Sequence, residues 1–149
     1  MRLILMRHAE AAPGHPDFKR QLTAFGLRSI AARPNSLKVE LQSVDQAFVS
    51  PYLRTAQTFE RLELDISPIV SDLLVPESTP DRVCALLQNV PLDSTLLLVT
   101  HMPLVGWLSG YLTEGPGSYG KRFMPAQVEV LEMEYPAAGM AHLVANFAL

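Results

Sequence analysis

The chain has 149 residues, 48% of them hydrophobic and 18% charged, with a formal net charge of −3. That length suits one domain able to bury most of the surface its unfolded form exposes, and the composition excludes a disordered chain. An acidic balance speaks against nucleic acid or a membrane surface as partner, because both select a basic face.

Of the twelve basic residues only Lys19, Lys38 and Lys121 are lysines. The rest are arginines, whose planar guanidinium grips phosphate and carboxylate. Cys84 stands alone, so no intrachain disulfide forms. The first apolar run, residues 3–6, is too short for a signal-peptide core or a membrane span. A cytoplasmic, monomeric protein with a single domain over residues 1–149 is expected.

Residues 3–6, 47–49 and 96–99 are continuous apolar runs, each followed by a polar turn and a helical pattern, which is the rhythm of a parallel sheet buried on both faces. Thr23 is a candidate N-cap for a helix from Ala24, and Pro34 should end that helix near Arg33. Ser50-Pro51, Thr79-Pro80 and Met102-Pro103 each place proline at an expected first helical position. Tyr52, Ala56 and Phe59, then Val83, Leu86, Leu87 and Val90, recur at helical spacing. Arg28, Arg33, Arg61 and Arg82 read as solvated helix residues. Residues 115–125, rich in Gly and Pro, form a loop. Val128 and Val130, then Leu131, Met133 and Tyr135, alternate as a strand. The parity slip between Val130 and Leu131 points to a bulge. Leu143, Ala145 and Phe147 close the sheet as an antiparallel partner. The expected fold is an α/β three-layer sandwich, a mostly parallel sheet with an antiparallel edge strand and helices on both faces.

In such sheets ligands sit beyond the carboxyl ends of the strands. The first strand here ends in Arg7-His8, the second runs into Ser50 and then Arg54 in the first turn of a helix, and the third ends in Thr100-His101. Two imidazoles and two guanidiniums thus converge on one sheet edge, where a helix N-terminus already favours an anion. A phosphoryl group suits them, each charge-assisted bond contributing about 1.5–3 kcal/mol.

These residues carry a resemblance. Arg7-His8-Ala9-Glu10 resembles the Arg-His-Gly signature of the histidine phosphatase (phosphoglycerate-mutase-like) superfamily. Ser50-Pro51-Tyr52-Leu53-Arg54-Thr55-Ala56-Gln57-Thr58 resembles its Ser-Pro-x-x-Arg-Thr-x-Gln-Thr segment, and Thr100-His101 its second histidine. Within the superfamily the chain is most similar to the SixA type of phosphohistidine phosphatase, from Met1 to about Gly110. The segments that carry this are Arg20-Gln21-Leu22-Thr23-Ala24-Phe25-Gly26, Val75-Pro76-Glu77-Ser78-Thr79-Pro80 and His101-Met102-Pro103-Leu104-Val105-Gly106-Trp107-Leu108. The last forty residues match only in pattern.

The resemblance implies that His8 is the nucleophile and forms a phosphohistidine. Attack requires a neutral nitrogen toward the substrate, so the other ring nitrogen should donate to a backbone carbonyl. Arg7, Arg54 and Arg20 would clamp the oxygens, His101, charged or donating, would stabilise the phosphoryl group in transit, and Glu77 would protonate the leaving atom. No metal and no cofactor is expected. Two positions depart from the pattern: Ala9 replaces glycine, so the backbone there must accept a Cβ, and Gln21 replaces a proline beside Arg20. The stretch between Arg54 and His101 leaves no room for a cap domain. An open site favours phosphohistidine on a phosphotransfer protein of a signalling phosphorelay. The alternatives are a small-molecule phosphomonoesterase of the same superfamily and a catalytically silent phosphoprotein-binding module.

Other phosphate chemistries lack their residues. Cys84 is not followed by an arginine at the spacing of a thiolate phosphatase, and no Asp-x-Asp pair supplies an aspartyl nucleophile. Gly115-Pro116-Gly117-Ser118-Tyr119-Gly120-Lys121-Arg122 approaches a Walker A loop, but Arg122 replaces the magnesium-binding hydroxyl. His15 and His142 read as bystanders.

Overall fold

The computed structural model describes all 149 residues. Its strands are β1 (Arg2–Arg7), β2 (Gln46–Val49), β3 (Ile69–Val70), β4 (Thr95–Thr100), β5 (Val128–Met133) and β6 (Ala141–Phe147). Its helices are α1 (Ala24–Ala31), α2 (Asn35–Gln42), α3 (Leu53–Glu60), α4 (Pro80–Leu87) and α5 (Leu104–Glu114). One six-stranded sheet runs in the order β3-β2-β4-β1-β5-β6. β1 to β4 are mutually parallel, while β5 runs against both β1 and β6. The expected sandwich is present, and the reversed strand lies one position inside the edge. No cap is inserted between α3 and β4.

The pleat explains the continuous apolar runs. Leu3, Leu5, Leu96 and Leu98 pack with Val83 and Leu87 of α4 and Leu104 and Leu108 of α5. Ile4, Met6, Leu97 and Val99 pack on the other face with Ile30, Leu37, Leu41 and Phe59 of α1, α2 and α3. Both faces are covered, so neither needs polar residues.

Thr23 caps α1 by accepting the Gly26 N–H at 3.0 Å, and Pro80 is the first residue of α4. Elsewhere the prolines act earlier than expected. Pro51 stands in a bend before α3, and Pro103 is the N-cap of α5. Pro34 ends α1 and also caps α2, whose buried Leu37 and Leu41 form a helix of their own. Arg33 is not solvated: it donates to the carbonyls of Ile30, Arg61 and Leu62, closing helix ends that lack intrahelical partners. The register shift falls beside Val130/Leu131, but the extra residue is Val144 of β6, since Ala145 faces Val130 and Leu143 faces Leu131. β5 itself pairs evenly with β1. Cys84 is buried in the α4 core. No helix is long and apolar enough to cross a membrane.

Candidate active site

Strand register decides which side chains meet. Arg7 pairs with Thr100, and Val49 with Val99, so His8, Ser50 and His101 leave adjacent strand ends. The His8 N–H donates to Thr100 O at 2.9 Å and the Ser50 N–H to Val99 O at 3.2 Å, which pins two of these exits. The two histidine rings lie 5.1 Å apart between centroids at 60°, both of them buried.

The tautomer of His8 follows from its partners. A carbonyl only accepts, so the 2.7 Å contact with Ala9 O places the proton on Nδ1. A guanidinium only donates, so the Arg54 Nε–H at 3.3 Å meets an unprotonated Nε2. Burial pushes the His8 pKa down to about 4, the charges of Arg54, Arg7 and Arg20 act in the same direction, and the Ala9 bond opposes them. The ring is therefore neutral near pH 7. His101 is pushed the same way, first by burial and then by His8 and Arg54, which leaves donation from a neutral ring rather than a charged form. Its Nε2 lies 2.7 Å from Ser50 Oγ, while its buried Nδ1 has no partner in the protein.

Arg54 is 4% exposed. Its Nη1 donates to Asp17 O at 2.9 Å and its Nη2 to Asp17 Oδ2 at 3.2 Å. The guanidinium carbon stands 4.9 Å from the centre of the Tyr52 ring, and that ring lies 4.9 Å from His101. Arg20 reaches the other Asp17 oxygen at 3.1 Å and is steadied by Ala12 O at 2.8 Å. Arg7 donates from Nη1 to Phe123 O at 2.7 Å, while its buried Nε–H has no partner. Burial lowers the Arg7 pKa, and neighbouring Arg122 and Arg54 lower it further.

The structure thus brings Arg7, His8, Arg54 and His101 together and joins Arg20 through Asp17. Glu77 is exposed on the segment before α4. It lies close enough to Tyr52 that its charge adds to burial in raising the phenol pKa. Sequence reasoning missed Asp17, Tyr52 and Arg122. It also left the rest of the nine-residue motif without roles. Thr55 Oγ1 donates to Ser50 O and Tyr52 O, holding the bend before α3. Gln57 Oε1 accepts the Leu22 N–H at 2.9 Å. Thr58 Oγ1 donates to Arg54 O at 2.7 Å and accepts the Ala9 N–H at 3.1 Å, tying the helix to the turn after His8. Ala9 is fully buried and is not among the residues with positive φ, so its backbone accepts a Cβ.

Three guanidiniums and two neutral imidazoles, with unpartnered nitrogens on Arg7 and His101, meet one carboxylate. Such a set favours an oxyanion with dispersed charge. The largest cavity, about 590 Å³, lies at the opposite end of the sheet around Met1, Arg2 and His142.

A histidine pair and an arginine set at this edge of an α/β sheet define the histidine phosphatase class of site. No family model matches the chain. It is 33% identical over 122 residues to the phosphohistidine phosphatase SixA of Escherichia coli, covering 77% of this chain and 76% of that protein. It is 30% identical over 149 residues to a SixA homolog of Haemophilus influenzae, covering 88% and 87%. The solved structure of the protein histidine phosphatase SixA complexed with tungstate superposes with a TM-score of 0.84 at 28% identity, covering 99% of this chain and 97% of that one. The chain belongs to the SixA family of phosphohistidine phosphatases. The likeness extends through the last forty residues, beyond the stretch where the sequence resemblance was carried.

Proposed function

We propose that this protein is a cytoplasmic phosphohistidine phosphatase that works through phosphorylated His8 and acts on phosphohistidine carried by a phosphotransfer protein. The observation that carries this reading is the state of His8: neutral, with Nδ1–H fixed on Ala9 O and Nε2 unprotonated among the arginines. Nε2 attacks phosphorus, the P–N bond to the substrate imidazole breaks, and the departing nitrogen takes a proton from the Glu77 carboxyl. Water then attacks the phosphoryl–His8 bond. Glu77 takes the water's proton, His8 leaves, and inorganic phosphate is released. Arg7, Arg54 and Arg20 hold the oxygens, displacing Asp17 from the two guanidiniums it bridges. Ser50 Oγ accepts the Tyr52 N–H at 3.3 Å, so its own proton is available to His101 Nε2 and the His101 Nδ1–H is available to the phosphoryl group.

The lack of a cap supports a protein substrate, as do exposed Phe18 and Met124 on segments that supply site residues. Rapid mixing with a ³²P-phosphohistidine phosphotransfer domain should label the protein on a bond that is acid-labile and alkali-stable. His8→Ala should abolish that label. Faster turnover of free sugar phosphates than of the phosphoprotein would establish the small-molecule reading. Binding without turnover, unchanged in His8→Ala, would establish a silent binding module.

A further inference from the structure

Residues 115–125 contain no helix or strand, yet they are held at more points than a surface loop needs. α5 offers them a glycine groove. A Cβ at Gly106 would stand 1.7 Å from Lys121 O, and one at Gly110 would stand 2.3 Å from Ser118 Oγ. The Lys121 N–H donates to Gly106 O at 2.9 Å. Below this groove Glu129 of β5 is 3% exposed and faces Leu5 of β1 across the sheet. Its carboxylate accepts the Ser109 hydroxyl of α5 and lies 3.9 Å from Lys121 Nζ. A buried carboxylate is tolerated only when hydrogen-bonded or paired, and the loop supplies the cation.

Just beyond Lys121 the chain holds the residues of the oxyanion site three times. Phe123 O accepts from Arg7 Nη1 at 2.7 Å, Gln127 O accepts the Arg7 N–H at 3.1 Å, and the Ala126 N–H donates to His8 O at 3.0 Å. Ala126 does so at φ 62°, a left-handed conformation that disfavours a side chain and persists only where its surroundings hold it. Arg7 has a long, flexible side chain, and Phe123 O is the one hydrogen-bond partner of its guanidinium.

We propose that Lys121 and Glu129 are positioning residues, their ion pair latching the loop onto β5 beside α5 so that the Phe123 carbonyl aims the Arg7 guanidinium at the phosphoryl group. The proposal rests on the reading of Arg7 as a phosphate ligand. Neither latch residue touches substrate. Loss of the pair lets the carbonyl drift, and Arg7 then pays its rotamer entropy on binding the anion.

The test is a double-mutant cycle read by calorimetric titration with tungstate, which needs no turnover. Lys121→Met should weaken tungstate binding roughly tenfold, about one charge-assisted bond, in the protein with Arg7 intact. In an Arg7→Ala background it should have no further effect. Lys121→Arg should restore the affinity. Glu129→Gln provides a second route: Gln accepts the Ser109 hydroxyl but cannot pair with Lys121, so it should reproduce the Lys121→Met loss. Unchanged affinity in both single variants, or losses that multiply with Arg7→Ala, overturn the latch. If Arg7→Ala alone leaves tungstate binding intact, the assignment of Arg7 falls instead, so the two failures are distinguishable.

Discussion

Replacing Arg54 with lysine keeps the charge and removes the fork, so it isolates geometry from electrostatics. The guanidinium donates from three nitrogens at once, to His8 Nε2, Asp17 O and Asp17 Oδ2. An ammonium in the same place is a single point with a different reach. It cannot hold two phosphoryl oxygens while also lying against the nucleophile. The loss is at least one charge-assisted bond, about 1.5–3 kcal/mol, which at about 1.4 kcal/mol per decade lowers kcat/KM by roughly 10- to 150-fold. The fold should survive, because Thr55, Thr58 and Phe59 keep α3 anchored. The assay is steady-state hydrolysis of phosphohistidine protein, with urea unfolding measured on the same preparation. A kcat/KM within twofold of the parent, at unchanged stability, would remove Arg54 from the phosphate clamp.

Three more outcomes are expected. In the free protein His8 should stay neutral down to about pH 4; because the unfolded imidazole binds its proton near pH 6.5, stability attributable to His8 is present above that value and is lost as pH falls toward 4, by about 3 kcal/mol. An NMR titration of the His8 ring with a midpoint near 6.5 would contradict this. Asp17→Asn removes the carboxylate that bridges Arg20 and Arg54. Since that carboxylate is largely exposed, each pair is worth only about 0.2–1 kcal/mol, so phosphate should bind about 2- to 30-fold more tightly; weaker binding in calorimetry would make Asp17 a support rather than a competitor. Glu77→Gln should slow phosphorylation of His8 by about 100-fold or more with substrates whose leaving group needs a proton, and leave phosphorylation by p-nitrophenyl phosphate, whose leaving group needs none, nearly unchanged, while hydrolysis of the phosphorylated His8 slows after either. Equal losses on both would deny Glu77 the role of acid.

What the sequence disclosed and what it hid follow from how local each signal is. β1, β2 and β4 were legible because burial on both faces imposes an unbroken apolar run, His8 and His101 because they stand just past such runs, and Arg54 because it falls in the first turn of the helix that the next run leads into. β3 left no mark: it is two residues long and both are exposed. α2 was hidden because Pro34 reads as the end of one helix and gives no sign that it also begins another. Asp17 was invisible for a different reason, since its place beside Arg54 depends on a short 3-10 turn that no periodicity reports.

The clearest case is Glu129. An alternating pattern identifies one buried face of a strand and is naturally taken to mean that the other face is wet, so a glutamate between Val128 and Val130 reads as solvated. β5, however, lies one strand inside the edge, and α5 covers the face to which Glu129 points. The polar residue is therefore buried, and burial forces it to find partners. Those partners, Ser109 and Lys121, lie on two other segments, so the residue that looks least informative in the strand pattern becomes the link between a loop without secondary structure and the arginine at the phosphate site.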